Sequence, residues 1–265
     1  MERIGRSYLP LIMGGLCAVF LIVGTFYVLG YRFGKNFSVV KAGSISIEVP
    51  FAGSNIYLNA LKKRSTSKDG ETVSFSGLYP GRYTTIVSKD GFYPWTKEAS
   101  VEENRIVRLR PFLIRSSVSG VVITAEDPAY DKLQSLIYEN TLPLASDKKI
   151  SRDGLVVLWF EDGTIYAEWQ GEEKTIPALF CSSSSCSKRI EVLTPTVPLR
   201  NLDFYGSRND VIVLALGESV AAMELDRNGT QNFEPLFKGN SPRMAKTGEG
   251  AIIVRDNGVL MQLSL

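Results

Sequence analysis

The sequence of 265 residues contains no histidine and only three cysteines. Histidine is the commonest general base, proton shuttle and metal ligand in enzymes, so its absence weakens every catalytic hypothesis. Three cysteines without histidine are too few for a structural zinc site. The net charge is only +2, which gives no electrostatic reason to expect nucleic acid as a partner. These absences predict a protein that is not an enzyme, needs no metal or other cofactor, and does not bind nucleic acid.

Charge is also absent locally, because no charged residue occurs between Arg6 and Arg32. Leu, Ile, Val, Phe, Ala and Gly dominate this run, and a membrane-spanning helix needs roughly 20 such apolar residues. Tyr8, Tyr27 and Tyr31 lie near its two ends, where amphipathic rings favour the membrane interface. We therefore predict a short cytoplasmic tail at 1–7, a transmembrane helix at 8–31 in the lipid bilayer, and a juxtamembrane linker at 32–42.

Three other interpretations of this run fit less well. A cleaved signal peptide has an apolar region of roughly 7–15 residues followed by a site with small residues, whereas this run is longer and no such site ends it. A lipoprotein anchor at Cys17 would require a small residue before the cysteine, and Leu16 stands there. A fully buried core helix of this length is unusual in a chain whose remainder has a β pattern.

The orientation of the helix in the membrane is predicted from features other than charge. Basic residues flank the run on both sides: Arg3 and Arg6 precede it, and Arg32, Lys35 and Lys41 follow it. The positive-inside rule therefore gives almost no indication of the orientation of the helix. The leading tail is short, as in an uncleaved signal anchor. Cys181 and Cys186 enclose four serines, a spacing that suits a disulfide in an oxidising compartment, although two unlinked cytosolic thiols are the alternative. We expect the N-terminus inside the cell and the later domains outside.

The segment 43–113 has the pattern of a small antiparallel β-sandwich. Polar and apolar residues alternate at 44–49 and again at 72–75, which is the period of a half-buried strand. Further short strands are predicted at 55–59, 83–88 and 105–109, with a long polar loop at 62–70. Pro80 and Gly81 mark a tight turn. Frequent turn signals and the lack of a helical pattern favour the sandwich.

Within this segment the residues resemble the PEGA family. Residues 43–50 read Gly-x-Ile-x-Ile-x-Val-Pro, residues 78–83 read Leu-Tyr-Pro-Gly-Arg-Tyr, and Asp90, Gly91 and Phe92 follow. The position of the Pro-Glu-Gly-Ala tetrapeptide that names the family is occupied by Pro50-Phe51-Ala52-Gly53. The resemblance covers about seventy residues. It implies a prealbumin-like sandwich on a prokaryotic surface, without a catalytic role.

The segment 117–265 contains a recurring unit made of an apolar strand, a Gly-containing turn and an alternating strand. The first strands lie at 155–159, 211–215 and 251–254, and their partners at 164–169, 220–225 and 259–263. A short helix with Asp127 as its cap is predicted before them. The spacing resembles β-propeller blades of about 40–50 residues. Closed propellers typically need at least four blades, and only three units are found. The segment is therefore an incomplete propeller, a propeller whose gap is filled by the helix, or an open stack of sheets.

The sequence contains candidate ligand-binding residues but no candidate catalytic residues. No catalytic, cofactor-binding or metal-binding constellation is found, and Glu102 with Glu103, placed next to each other on a strand, would point to opposite faces. Lys62, Lys63, Arg64 and Lys68 form a basic loop that suits an acidic wall polymer or lipid headgroups, or is simply a solvated hairpin tip. The aromatic residues Tyr79, Tyr83, Phe92, Tyr93 and Trp95 would stack on sugars if exposed and form the sandwich core if buried; Tyr93 and Trp95 are the candidate contacts.

The leading hypothesis is a single-pass cell-surface protein whose β domains bind or organise an envelope component, either a cell-wall polysaccharide or an envelope protein. The rival hypothesis is a membrane-anchored extracytoplasmic hydrolase that uses the propeller-like segment as a scaffold. Three acidic residues converging in a propeller funnel would favour the hydrolase. A sensor that signals inward is a third interpretation, but the few residues before the helix leave little to receive a signal.

Overall fold

A computed structural model describes residues 9–33, 38–60, 62–141, 148–181 and 185–264. Within these ranges the chain forms two α-helices and 21 β-strands. The protein is thus mostly β, with several antiparallel sheets following an N-terminal helix, as the sequence predicts. The side chains of Leu9, Leu11 and Lys62 are also outside the description.

Helix α1 spans Leu9–Val28 and carries no charged residue. Its described side chains are all exposed, including Phe20 at 74% and Leu21 at 72%. Over the described residues, which begin at Leu9, no helix is long and apolar enough to cross a membrane. The predicted tail at 1–7 and the predicted start of the span at residue 8 lie outside this part of the chain. The transmembrane anchor therefore stays a prediction.

Two short strands follow the helix. Strand β1 (Tyr31–Phe33) pairs antiparallel with β2 (Val39–Lys41). The predicted juxtamembrane linker at 32–42 therefore contains paired strands. Strand β3 begins immediately afterwards, at Gly43.

The segment 43–113, here called the sandwich region, contains two sheets. The three-stranded sheet has the order β6 (Glu71–Leu78), β3 (Gly43–Val49), β9 (Ile106–Leu109), in which β3 and β9 are parallel. The four-stranded sheet is antiparallel, with the order β5 (Lys62–Ser65), β4 (Asn55–Leu58), β7 (Gly81–Ser88), β8 (Trp95–Val101). The strand alternation explains this arrangement, because Ile45, Ile47 and Val49 are all 0% exposed and pack in one core with Ile56 and Val87. Each such buried side chain contributes about 1.5–3 kcal/mol.

Two local predictions for the sandwich region were wrong, and one strand was not predicted. The expected polar loop at 62–70 begins with strand β5, because its residues complete the edge of a sheet through backbone pairing with β4. Glu102 and Glu103 lie in the turn after β8 and not on a strand. Strand β8 was not predicted, since its inward positions include Lys97, which breaks the apolar alternation.

The segment 117–265, here called the three-sheet region, forms three four-stranded antiparallel sheets. The first sheet is β11 (Lys149–Ile150), β12 (Val156–Glu161), β13 (Thr164–Trp169) and β14 (Arg189–Leu193). The second sheet is β15 (Leu199–Phe204), β16 (Val211–Leu216), β17 (Ser219–Glu224) and β18 (Phe233–Lys238). The third sheet contains β19 (Arg243–Lys246), β20 (Ile252–Asp256) and β21 (Val259–Ser264). The predicted hairpins are the β12–β13, β16–β17 and β20–β21 pairs.

The fourth strand of the third sheet comes from the other end of this region. Strand β10 (Ser119–Ile123) pairs antiparallel with β21, in a register that places Ser119 opposite Ser264. Helix α2 (Tyr130–Glu139) follows β10 and packs through Ile137 against Ile253 and Leu260 of this sheet. The helix is confirmed. Its N-cap is Ala129, however, while Asp127 accepts a hydrogen bond from the backbone N–H of Ala129.

The second sheet is buried on both faces. One face, with Ile212 and Leu214, packs in a core with Leu158 of the first sheet. The opposite face, with Val211 and Val213, belongs to the core that also includes the third sheet and the sandwich region. This position explains why residues 211–215 form an unbroken apolar run and do not alternate.

Candidate functional site

A basic groove lies between the edge strands of the two sandwich sheets. Strand β5 pairs with β4 and strand β6 pairs with β3, so the edges of the two sheets meet without pairing. The cavity between them has a volume of about 340 Å³ and is lined by Lys63, Arg64, Ser74, Phe75 and Ser76. Two basic residues and two serines of the edge strands therefore line the same space, while Phe75, only 5% exposed, packs in the sandwich core. This composition suits a hydroxylated or anionic ligand.

The four predicted basic contacts occupy different positions. Lys63 and Arg64 line the groove, and the Lys63 ammonium lies 5.6 Å from the centre of the Tyr57 ring. Lys62 belongs to the same strand, but its side chain lies outside the description. Lys68 lies in the following turn and is exposed. The structure therefore brings two of the four residues to one cavity.

Glu71 holds the turn that carries Lys68. Its Oε2 atom accepts hydrogen bonds from the backbone N–H of Ser67 at 2.6 Å, from the Ser67 hydroxyl at 3.0 Å and from the backbone N–H of Lys68 at 3.3 Å. The bond from the Ser67 backbone, followed by that from its hydroxyl, lowers the pKa of Glu71 below 4.5. Glu71 is therefore ionised near Lys68. Its negative charge makes this turn less basic than the nearby lysines and arginine alone would suggest.

Arg32 of β1 lies close both to the end of α1 and to the strand β6 that lines the groove. The Arg32 guanidinium lies 3.6 Å from the centre of the Tyr27 ring, and its Nη1 atom donates to the backbone oxygen of Tyr27 at 2.8 Å. A Cβ atom on Gly77 would lie 2.8 Å from Nη2 of Arg32. Gly77 on β6 thus leaves room for Arg32, one residue after Ser76 of the groove.

The predicted aromatic residues do not form one exposed platform. Trp95 is only 3% exposed, and its Nε1 atom donates to Oε1 of Glu224 at 2.5 Å. Tyr93 is half-buried and its backbone N–H donates to Ile114. Phe92 packs on Phe51, with 5.0 Å between ring centres. Tyr83 is half-buried, its hydroxyl donating to the backbone oxygen of Tyr79, and Tyr79 is 45% exposed.

Trp95 and Lys97 instead contact the three-sheet region through a buried polar cluster. The Lys97 ammonium lies 3.2 Å from Oε2 of Glu224 and 3.0 Å from Oδ2 of Asp226. It also donates to the backbone oxygens of Asp226 and Thr230, both at 3.1 Å. Sequence reasoning missed this cluster. The only local signal is a lysine and a glutamate at otherwise apolar strand positions, and neither identifies the other as its partner.

The turn after β17 connects this cluster to the cysteine loop. Cys181 and Cys186 form a disulfide, which confirms that prediction, although residues 182–184 of the enclosed loop lie outside the description. Asn228 donates through Nδ2 to the backbone oxygen of Cys181 at 2.7 Å. Arg227 donates through Nη1 to the backbone oxygen of Glu191 at 2.8 Å. The turn thus contacts both the first sheet and the sandwich region.

The described part of the chain contains no group of three or more His, Cys, Asp or Glu side chains arranged to hold a metal ion. A scan of known protein families finds no model that matches the chain, and a search of curated proteins finds no relative. The geometry of the site is therefore the basis for a functional proposal.

Proposed function

We propose that this protein is a non-catalytic surface protein that binds an anionic component of the cell envelope through the groove between β5 and β6. The observation that carries the proposal is the shared cavity of Lys63, Arg64, Ser74 and Ser76. Pairing with β4 fixes the backbone of Lys63 and Arg64, while their long side chains start on opposite faces of β5 and become ordered when they close on the ligand. An acidic polysaccharide has both the charges and the hydroxyl groups that these residues would recognise.

Two architectural assignments belong to the same proposal. The sandwich region would be a PEGA-like, prealbumin-like domain, supported by the motif at 78–83 and by two sheets around one core. The three-sheet region would be an incomplete propeller, supported by three sheets of four strands that follow each other along the chain. Strand β10, which completes the third sheet, and α2, which packs on it, would take the place of further blades.

The anchor in this proposal is the uncharged segment at 8–31. Its exposed Leu, Ile and Phe side chains surround α1, and an apolar surface of this kind requires a lipid or protein environment. The Cys181–Cys186 disulfide favours an extracytoplasmic position for the β domains. The contact between Arg32 and Gly77 would place the groove near the membrane surface.

The binding test compares two double variants of the full chain in detergent. K63Q/R64Q removes both cations of the groove. R82Q/K174Q also removes one arginine and one lysine, at side chains that are 82% and 79% exposed. Co-sedimentation with an insoluble acidic polysaccharide should be weakened about tenfold or more by K63Q/R64Q, since hydrogen bonds to charged groups contribute about 1.5–3 kcal/mol each, and hardly changed by R82Q/K174Q. Equal losses in both variants, or equal binding to a neutral polysaccharide, would contradict the proposal.

The location is tested separately by protease treatment of intact cells that produce the protein. Digestion of the β domains before lysis supports an external position. Digestion only after lysis would overturn the orientation. Extraction of the protein from membranes by detergent and not by alkaline carbonate supports insertion of the 8–31 segment, whereas release by carbonate contradicts it.

A further inference from the structure

Two arginines face each other on the side of the third sheet that helix α2 covers. Arg243 on β19 and Arg255 on β20 are directly paired across the antiparallel strands. The neighbouring residues Ala245 and Ile253 on the same face belong to the core beneath α2. Like charges directly opposite each other destabilise a sheet. The pair is therefore unfavourable unless something compensates its charge.

A tyrosine of α2 lies between the two guanidinium groups. The centre of the Tyr138 ring lies 5.8 Å from Cζ of Arg243 and 5.2 Å from Cζ of Arg255. Nη1 of Arg255 also donates a hydrogen bond to the Tyr138 hydroxyl. Tyr138 is 44% exposed, so the cluster is accessible from solvent. The ring orients both cations, but it supplies no negative charge.

No carboxylate of the described residues neutralises either arginine within 4.0 Å. By contrast, Lys246, on the same strand as Arg243, lies 3.0 Å from Asp203. In addition, Nε of Arg255 is buried and has no hydrogen-bond acceptor. A buried donor without an acceptor costs about 1–3 kcal/mol. The uncompensated charge of the arginine pair therefore favours an anionic ligand.

We propose that Arg243, Arg255 and Tyr138 form a binding site for a phosphate group. A guanidinium presents a planar fork of donors that matches phosphate in a bidentate manner. A carboxylate has two oxygens and is satisfied by one fork, whereas phosphate has enough oxygens to accept from two forks at once. The phosphate would bridge the two arginines through the terminal nitrogens of their guanidinium groups. The site is separate from the groove between β5 and β6 and does not depend on the function proposed for that groove.

The first test measures phosphate binding by calorimetry and by thermal unfolding of the full chain in detergent. Inorganic phosphate should raise the melting temperature of the wild type, and chloride at the same ionic strength should not. R243Q/R255Q should lose about tenfold or more in phosphate affinity, because charged hydrogen bonds of about 1.5–3 kcal/mol each are removed. R82Q/K174Q, which removes two exposed cations outside both proposed sites, is the matched control and should bind phosphate as the wild type does. Equal phosphate affinity in R243Q/R255Q and the wild type would overturn the proposal.

A second variant keeps the test decisive if R243Q/R255Q does not fold. R243K/R255K retains both charges and removes the forks. A weaker phosphate affinity in the folded lysine variant supports bidentate binding, and an unchanged affinity contradicts it. The NMR signal of the Arg255 Nε–H group provides a direct readout, since phosphate should shift it and chloride should not. The absence of a phosphate-dependent shift would also overturn the proposal.

Two further probes distinguish the sources of the phosphate. Glycerol phosphate diesters represent a phosphodiester polymer, and vesicles of phosphatidylglycerol represent a lipid headgroup. If one probe binds the wild type and R82Q/K174Q but not R243Q/R255Q, that source is assigned to this site. Binding of inorganic phosphate alone assigns a free phosphate or phosphate monoester. If every probe binds R243Q/R255Q as tightly as the wild type, the proposed site is wrong.

Discussion

The ammonium of Lys97 lies 3.2 Å from Oε2 of Glu224, a residue 127 positions later in the chain. Their side chains are only 4% and 7% exposed. Lys97 belongs to β8 of the sandwich region and Glu224 to β17 of the three-sheet region. The ammonium group also pairs with the carboxylate of Asp226 and donates hydrogen bonds to two backbone oxygens. The two β regions are therefore packed through a buried ion pair and are not independent domains joined by a linker alone.

The first prediction concerns this ion pair. K97M should lower the free energy of unfolding by about 3–5 kcal/mol, because removing one partner leaves the carboxylate of Glu224 buried without its counterion. The control is R82M, which removes Arg82 from an exposed pair with Glu98 and should cost at most about 1 kcal/mol. Urea unfolding followed by tryptophan fluorescence measures both. Equal costs would show that the Lys97 cluster does not stabilise the fold.

The second prediction concerns the disulfide. The bond closes a loop across a sequence separation of 5, for which chain entropy predicts about 2 kcal/mol of stability. C181S/C186S, or reduction of the wild type, should lower the melting temperature by the corresponding amount. C17S is the control, because Cys17 is a free cysteine on α1. If reduction destabilises the wild type and C181S/C186S equally, the effect has another source.

The hairpins of the three-sheet region were predictable because their signals are local. Each one has a glycine turn between an apolar strand and its partner, such as Gly163 between β12 and β13. The outer strands β14 and β10 were not predicted, since each has only one buried residue, Val192 in β14 and Ile123 in β10. The pairing of β10 with β21 joins residues from the two ends of the region. No local pattern contains that information.

The candidate site was predictable in composition but not in geometry. Lys63 and Arg64 stand out in the sequence as cations. Their proximity to Ser74 and Ser76 depends on two sheets meeting at their edges, which a charge pattern does not encode. For Trp95, the sequence suggests a role that depends on neighbouring residues, and the structure gives a different partner. Its aromatic neighbours suggest either a sugar platform or the sandwich core, while the structure places its indole against Glu224, which is 129 positions away.

The third prediction concerns acid stability. Burial alone would raise the pKa of Asp153, but hydrogen bonds from the Ser151 hydroxyl, the backbone N–H of Leu155 and the Asn209 amide outweigh burial and lower it below 3.8. A carboxyl whose native pKa is depressed stabilises the fold above its unfolded pKa, and this contribution disappears as the pH falls through the native value. The wild type should therefore lose stability below about pH 3.8 more steeply than D153N. Urea unfolding at a series of pH values measures the two slopes. Parallel curves would contradict the assignment.

The fourth prediction concerns the close packing at the start of β3. A Cβ atom on Gly43 would lie 2.4 Å from Cγ1 of Val101 and 2.5 Å from the backbone oxygen of Glu102. Because the carbonyl belongs to the backbone, it has little freedom to move. G43A should therefore destabilise the protein by about 1–3 kcal/mol, the usual cost of overpacking. Gly248 has no heavy atom within 4 Å of its hypothetical Cβ, so G248A is the matched control and should change the melting temperature very little. A G43A variant as stable as G248A would show that β3 and the turn after β8 are not packed this closely.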